Sequence, residues 1–179
     1  MPDRIILVRH APAETKDSSR WHDDGDRPRR PSGRKEFKAA SRGLALLLDK
    51  QGSLGSSPFI RAWETAEMVQ CAWEVPKKVA PWTELLPEGH AEDIFESIED
   101  GPIRGDLVLV GHEPLLSQFV GYCLFEERFP AVKFSKGGAV AIDFPKGLRP
   151  GSGRILWSLT RRQLARLGKG GKKAIREDE

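Results

Sequence analysis

Two short apolar runs constrain this chain most. Ile5-Ile6-Leu7-Val8 passes directly into Arg9-His10, and Leu107-Val108-Leu109-Val110 passes into Gly111-His112. An unbroken run of leucine and β-branched side chains lacks the alternation of a half-solvated strand. Each run therefore predicts a strand covered on both faces, as in a parallel α/β sheet. Ligands of such sheets bind beyond the carboxyl ends of the strands. Both runs end at a histidine, so the pattern predicts His10 and His112 as neighbours on one rim of one sheet.

A third element lies between them. Ser56-Ser57-Pro58-Phe59-Ile60-Arg61-Ala62-Trp63-Glu64-Thr65-Ala66 opens like a helix running to about Trp73, with Ser57 as its cap and Pro58 at the first helical position. Arg61 falls in the opening turns, at the end whose backbone N–H groups and dipole favour an anion. Two histidines, two arginines and a helix N-terminus make a phosphate site the expected chemistry.

The other segments supply a scaffold. A polar loop, roughly Ala11–Ser32, is long for a compact domain and lies beside a strand's carboxyl end, where long loops are often functional. Ser32-Gly33 opens an amphipathic helix through Phe37, Ala40, Leu44, Leu47 and Leu48. Ser53-Leu54-Gly55-Ser56 stands where the second strand belongs, yet it is polar and contains glycine, unlike a core strand. A short strand over Lys78–Ala80 leads to a loop, Pro81–His90, that carries Glu84. Helices are expected over Ala91–Ile98 and Pro114–Leu124. Closing strands over Ala139–Phe144 and Arg154–Trp157 are joined by a Pro/Gly-rich turn, which predicts an antiparallel pair. A short terminal helix follows from Leu159. Alternating units of this kind predict an α/β fold, a three-layer α/β/α sandwich around a mostly parallel, mixed sheet.

With 179 residues, 39% of them hydrophobic, one substantial core is expected and two typical domains are not. The formal charge of +3 is concentrated at the end: residues 161–179 hold seven Lys/Arg against three acids, so residues 1–160 carry −1. The division expected is a domain over residues 1–168 and a charged, disordered tail over 169–179. A solvated tail is favoured over a nucleic-acid contact, and no long apolar run or basic leader points to a membrane or to secretion; cytoplasm is the default location. Cys71 and Cys123 fall in expected helices without metal-like spacing and read as buried free thiols. Four histidines without paired spacing, with adjacent arginines opposing a cation, do not predict a metal, and no cofactor is expected.

Leu7-Val8-Arg9-His10, then Ser57-Pro58 with Arg61-Ala62 and Thr65-Ala66, then Val110-Gly111-His112 resemble the motifs of the histidine phosphatase superfamily, also called phosphoglycerate mutase-like. Arg27-Pro28 ahead of Gly33-Arg34, the Glu84-Leu85-Leu86-Pro87 segment and Gly111-His112-Glu113-Pro114 resemble its compact SixA-type branch of phosphohistidine phosphatases. The likeness runs from about residue 4 to about residue 168. It implies His10 as the nucleophile that accepts the phosphoryl group, with Arg9, Arg61 and His112 lining the phosphate cavity. It also aligns Glu84 with the family's acidic residue, the proton donor; Glu88 and Asp93, nearby in sequence, and Glu113, next to a motif, compete with it. His22 and His90 sit in polar loops and read as solvated, although His22 could reach a substrate if the long loop folds over the pocket.

The function so implied is a phosphatase acting on phosphohistidine in a protein. The compact chain lacks insertions that would wall off a small metabolite, or retain a bisphosphorylated intermediate as a mutase must. Two other readings stay open: a phosphatase of a small phosphomonoester, and a non-catalytic phosphate-binding or scaffold module that holds its partner with the basic tail. The intact Arg9-His10 pair argues against the last, because a pure binder needs no in-line nucleophile.

Overall fold

A computed structural model describes residues 2, 4–15, 19–49, 51–74, 78–101, 103 and 105–177, with the backbone alone described at 31 and 171–177. Six strands form one sheet in the order β3-β2-β4-β1-β5-β6. They are β1 (Arg4–Arg9), β2 (Gly52–Ser56), β3 (Ala80–Pro81), β4 (Asp106–Gly111), β5 (Ala139–Asp143) and β6 (Arg154–Leu159). The first four run parallel to one another, while β5 pairs antiparallel with both β1 and β6. The helices are α1 (Pro31–Ala45), α2 (Ile60–Trp73), α3 (Ala91–Asp100), α4 (Leu115–Phe125) and α5 (Arg161–Glu177).

The two apolar runs are the central strands β1 and β4, and their side chains divide between two cores as strand periodicity requires. Ile5, Leu7, Leu107 and Leu109 pack with Ile94 and Phe119 on the α3–α4 face. Ile6, Val8, Val108 and Val110 pack with Phe37, Leu44, Ala62, Val69 and Leu164 on the face covered by α1, α2 and α5. The sandwich thus has the three layers and mixed sheet expected.

The polar strand β2 forms because large aromatic groups take the space its side chains leave. A Cβ on Gly52 would come within 2.5 Å of the Trp73 ring, and one on Gly55 within 2.7 Å of the Trp82 indole. Glycine here admits close approach rather than marking a turn. The edge strand β3 lies one residue later than expected, with Pro81 at its end, where a missing N–H leaves no central ladder incomplete. At the opposite, amino end of the sheet, buried Asp106 accepts two hydrogen bonds from Arg4, at 2.8 and 2.6 Å, and one from Asp49 N at 2.8 Å. This carboxylate fastens β4 to β1 and to the chain entering β2.

Three expectations need correction. Helix α2 starts at Ile60 after a Phe59 cap, so Ser57 and Pro58 precede it and Ser57 is not the N-cap. Cys71 is exposed on α2, whereas Cys123 is buried as expected. The terminal helix is not short: α5 crosses the boundary placed at residue 168 and continues as helical backbone through Glu177. Its first turns are held tightly, since Leu164 is buried and Gly168 meets α1 so closely that a Cβ would lie 2.1 Å from Ala39 O. Once those turns form, each further turn adds hydrogen bonds without a new nucleus. The last two residues, 178 and 179, lie outside the described residues.

The close α1–α5 contact sets opposite outcomes for one substitution. A Cβ on Gly43 would fall 1.8 Å from Leu164 O, whereas one on Gly170 meets nothing within 4 Å. Gly43→Ala is expected to destabilise the fold by about 1–3 kcal/mol through forced separation of the helices. Gly170→Ala is expected to be neutral or to add up to about 1 kcal/mol from helix propensity. Denaturant unfolding of the two variants checks both signs.

Candidate active site

Register creates the site. Arg9 pairs with Gly111 at the last step of the β1–β4 ladder, so His10 and His112 each stand one residue beyond it. Their rings lie 5.2 Å apart, centroid to centroid. The backbone there is pinned from several sides. His10 N donates to Gly111 O at 3.0 Å, Ser57 N to Val110 O at 2.9 Å, and Gly137 N to both Arg9 O and His10 O at 3.1 Å. Ala11 N donates to Thr65 Oγ1 at 3.0 Å, while that hydroxyl donates to Arg61 O at 2.7 Å. The residue after His10 is thereby tied to the turn of α2 that carries Arg61.

His10 is 6% exposed, and its Nδ1 lies 2.7 Å from Ala11 O. A carbonyl only accepts, so Nδ1 carries the proton and the neutral ring keeps its lone pair on Nε2. Burial, with Arg61, Arg9 and Lys136 behind it, pushes the His10 pKa down to about 3 against the opposing hydrogen bond to Ala11. His112 is pushed down to about 2, by burial first and then by the charge of His10 and Arg61. Both imidazoles are therefore neutral near pH 7. Ser57 Oγ stands 2.9 Å from His112 Nε2, and Phe59 stacks edge-on against the same ring at 5.3 Å. Ser57, released from the capping expected of it, instead orients His112.

Arg61 is 3% exposed. Its Nη1 donates to Asp24 O at 2.6 Å, its Nη2 lies 2.8 Å from Asp24 Oδ2, and its Cζ sits 4.9 Å from the Phe59 ring centroid. Arg9 donates through Nη1 to Phe134 O at 2.8 Å. The remaining nitrogens matter most. Among the described residues, Arg9 Nε, Arg61 Nε and His112 Nδ1 are all buried without a hydrogen-bond partner. Buried polar atoms are rarely left so; five other described atoms share that state, and these three fall on the three side chains expected to line a phosphate cavity.

Asp24 and Arg27 belong to this neighbourhood; Arg27 entered the sequence reading only within the SixA-type resemblance, and neither residue was assigned to the site. The 3₁₀ turn Asp24–Asp26 is held by Asp23 Oδ1 accepting from Gly25 N at 2.8 Å, and Gly25 lies against the Phe59 ring. Arg27 Nε donates to Asp24 Oδ1 at 2.9 Å and its Nη1 to Glu14 O at 2.8 Å. The long loop therefore folds back over the start of α2. The sequence signal was Asp23-Asp24-Gly25, a turn with acids in a long loop beside a strand's carboxyl end.

Glu84 is half-buried in the 3₁₀ turn Thr83–Leu85, directly after the β3 residue that pairs with Ser56. It shares the carboxyl edge of the sheet, but among the described residues no hydrogen bond or ion pair links it to His10, Arg61 or His112. Of its competitors, Glu88 and Asp93 are exposed, and Glu113 accepts a short hydrogen bond from Ser117 on α4. His22 and His90 are exposed. Among the described residues no group of three or more His, Cys, Asp or Glu could hold a metal ion, and no helix is long and apolar enough to cross a membrane.

Comparison with known proteins identifies the family and the fold. The sequence model of the histidine phosphatase superfamily (branch 1) matches residues 5–86. An uncharacterized protein of Picosynechococcus sp. is 31% identical over 154 residues, which covers 84% of this chain and 87% of that protein. The structure of the protein histidine phosphatase SixA complexed with tungstate superposes with a TM-score of 0.75 at 20% identity, covering 90% of this chain and 99% of that one. Phosphoserine phosphatase of Entamoeba histolytica, in complex with 3-phosphoglyceric acid, superposes with a TM-score of 0.63 at 16% identity, covering 92% and 100%. The chain belongs to the histidine phosphatase superfamily, whose members are phosphatases, and its fold is shared with SixA.

The depressed histidines give stability a defined pH dependence. An imidazole whose folded pKa lies below its unfolded value near 6.5 stabilises the fold fully above that value, and this contribution is lost as pH falls through the window down to the folded pKa. His10 and His112 together are expected to remove about 1.4 kcal/mol each per pH unit below 6.5. Denaturation curves at pH 7 and pH 5 should show that loss in the wild type and a smaller one in His10→Gln. Equal losses would mean that His10 is not buried neutral.

Proposed function

We propose that this chain is a phosphatase that uses His10 as a covalent nucleophile and acts on phosphohistidine in a protein. The observation that carries the reading is the fixed tautomer of His10 beside three buried, partnerless nitrogens on Arg9, Arg61 and His112. Nε2 of His10 attacks phosphorus in line, the bond to the leaving group breaks, and a phosphohistidine forms on the enzyme. Water then attacks that intermediate and returns His10 to its starting form. The two guanidinium Nε–H groups donate to phosphoryl oxygens, and rigid planar donors suit this better than lysine. A Ser57 hydroxyl that donates to His112 Nε2 puts the ring proton on Nδ1, which turns His112 into a third donor. Donors held in place before the reaction stabilise the charge of the transferring group without reorganising.

Protein phosphohistidine is favoured over a small ester because, among the described residues, no inserted subdomain covers the carboxyl edge, and the long loop folds back onto Arg61 through Asp24. The SixA structure, whose protein is a histidine phosphatase, supports the same choice by its fold. Glu84 is the proton donor for leaving groups that need one. An imidazole leaves more readily than an alkoxide, so its absence should matter little with phosphohistidine.

Three measurements test this. Acid-quench trapping with a labelled aryl phosphate should yield an acid-labile phosphoenzyme in the wild type and none in His10→Ala; turnover retained by His10→Ala would end the nucleophile assignment. Arg61→Ala should lower kcat by roughly 10²–10³-fold, the usual cost of one preorganised donor. Glu84→Gln should slow an alkyl phosphomonoester while sparing a phosphohistidine protein, and equal losses on both would remove Glu84 from proton transfer. A preference for one small phosphomonoester by orders of magnitude would transfer the assignment to that class.

A further inference from the structure

Near His10 lies a cleft of about 670 Å³ lined by Arg30, Lys136, Arg161, Arg162 and Arg166 and by no carboxylate. It is continuous with the site through the chain itself: Pro12 and Ala13, which also line the cleft, follow His10 by two and three residues, and Gly137, next to Lys136, hydrogen-bonds the backbone of Arg9 and His10. Charge crosses the same boundary, since Lys136 helps depress His10 and is itself depressed by burial and by Arg9, Arg27 and Arg30.

Part of the cleft's charge is answered within the protein. Arg30 and Arg161 both approach Glu36. The start of α5 is also occupied, because Gln163 Oε1 accepts from Thr160 N and Thr160 Oγ1, each at 2.8 Å. Lys136, Arg162 and Arg166 are exposed and form no ion pair among the described residues. Three cations without an ion-pair partner among the described residues thus face one cleft. A surplus held in one place like this attracts an anionic ligand and raises its rate of encounter.

We propose that this cleft recognises the substrate, by taking carboxylates that flank the phosphohistidine on an acidic segment of the phosphoprotein. The proposal rests on the reading that the chain acts on phosphohistidine in a protein. The cleft is large for a single additional phosphate, and its unpaired cations are exposed and spread rather than buried and convergent. Those features suit several carboxylates along an extended segment, held by exposed contacts that salt screens. The cleft thereby selects among substrates and takes no part in phosphoryl transfer.

Two synthetic phosphohistidine peptides of equal length, one flanked by glutamates and one by glutamines, provide the test, with an aryl phosphate as the substrate that ignores the cleft. The wild type at low salt should favour the glutamate peptide in kcat/KM by about tenfold, mostly through KM. The preference should vanish in 0.5 M salt and in Arg162→Glu/Arg166→Glu, while aryl phosphate turnover stays within about twofold. Arg162→Gln/Arg166→Gln should give an intermediate preference, which separates lost attraction from a damaged fold. Equal rates on the two peptides overturn the cleft's role and leave the phosphohistidine reading intact. Aryl phosphate turnover with neither peptide hydrolysed overturns that reading and this inference with it. Stronger acceleration from a second phosphate on a small substrate than from the glutamates would assign the cleft to metabolites and overturn the proposal.

Discussion

The rest of the structure depends on the parallel register of β1 and β4. Arg9 opposite Gly111 leaves His10 and His112 side by side beyond the ladder. Because side chains alternate along a strand, a slip of one residue would exchange the faces of Ile5, Ile6, Leu7 and Val8 and bring the wrong sets to the two cores. Burial on both faces therefore enforces the alignment that chemistry requires. Asp106 enforces it again from the far end, where its carboxylate holds Arg4 across the same strand pair. Stability and site geometry share one cause, the unbroken apolar character of these strands.

That arrangement was readable because a doubly buried strand declares itself in sequence, and because its ends can be counted. His10, His112 and the helix bearing Arg61 followed from such runs, and the family motifs assigned their roles. The entry to α2 was misread for a physical reason. Ser-Pro commonly begins a helix, but here the Ser57 hydroxyl has a closer claim, the His112 ring, and helical geometry is delayed until Ile60. A capping preference is local and weak, whereas a contact between side chains 55 positions apart is invisible to it. Strand β2 was obscure for the converse reason: its packing is supplied by Trp73 and Trp82, which lie outside it. Asp24 illustrates the limit most plainly, since nothing about an acid in a polar loop says that the loop returns to a buried arginine. Cys71 and the length of α5 depend likewise on which face of a helix meets a neighbour.

Within the site, burial does two jobs with opposite electrical consequences. It keeps His10 and His112 neutral by making an imidazolium costly. The same burial would penalise the guanidinium of Arg61, which does not relinquish its proton under ordinary conditions. Removing an arginine from water without an answering charge is among the more destabilising arrangements a fold can contain.

Asp24 is the answer in the resting protein. Its carboxylate and carbonyl occupy both Nη atoms of Arg61, and Arg27 shares the carboxylate, so the buried cation is compensated before any substrate arrives. The pairing leaves Nε of Arg61 unclaimed, as it does Nε of Arg9. The Nε of Arg61 is thus open without any break in the Asp24 pair, and the loop keeps the arginine in place. The negative charge of Asp24 also offsets some of the positive field at His112. One internal carboxylate at the margin of this cationic cluster therefore does two things at once: it offsets part of the positive field and it fixes the position of Arg61.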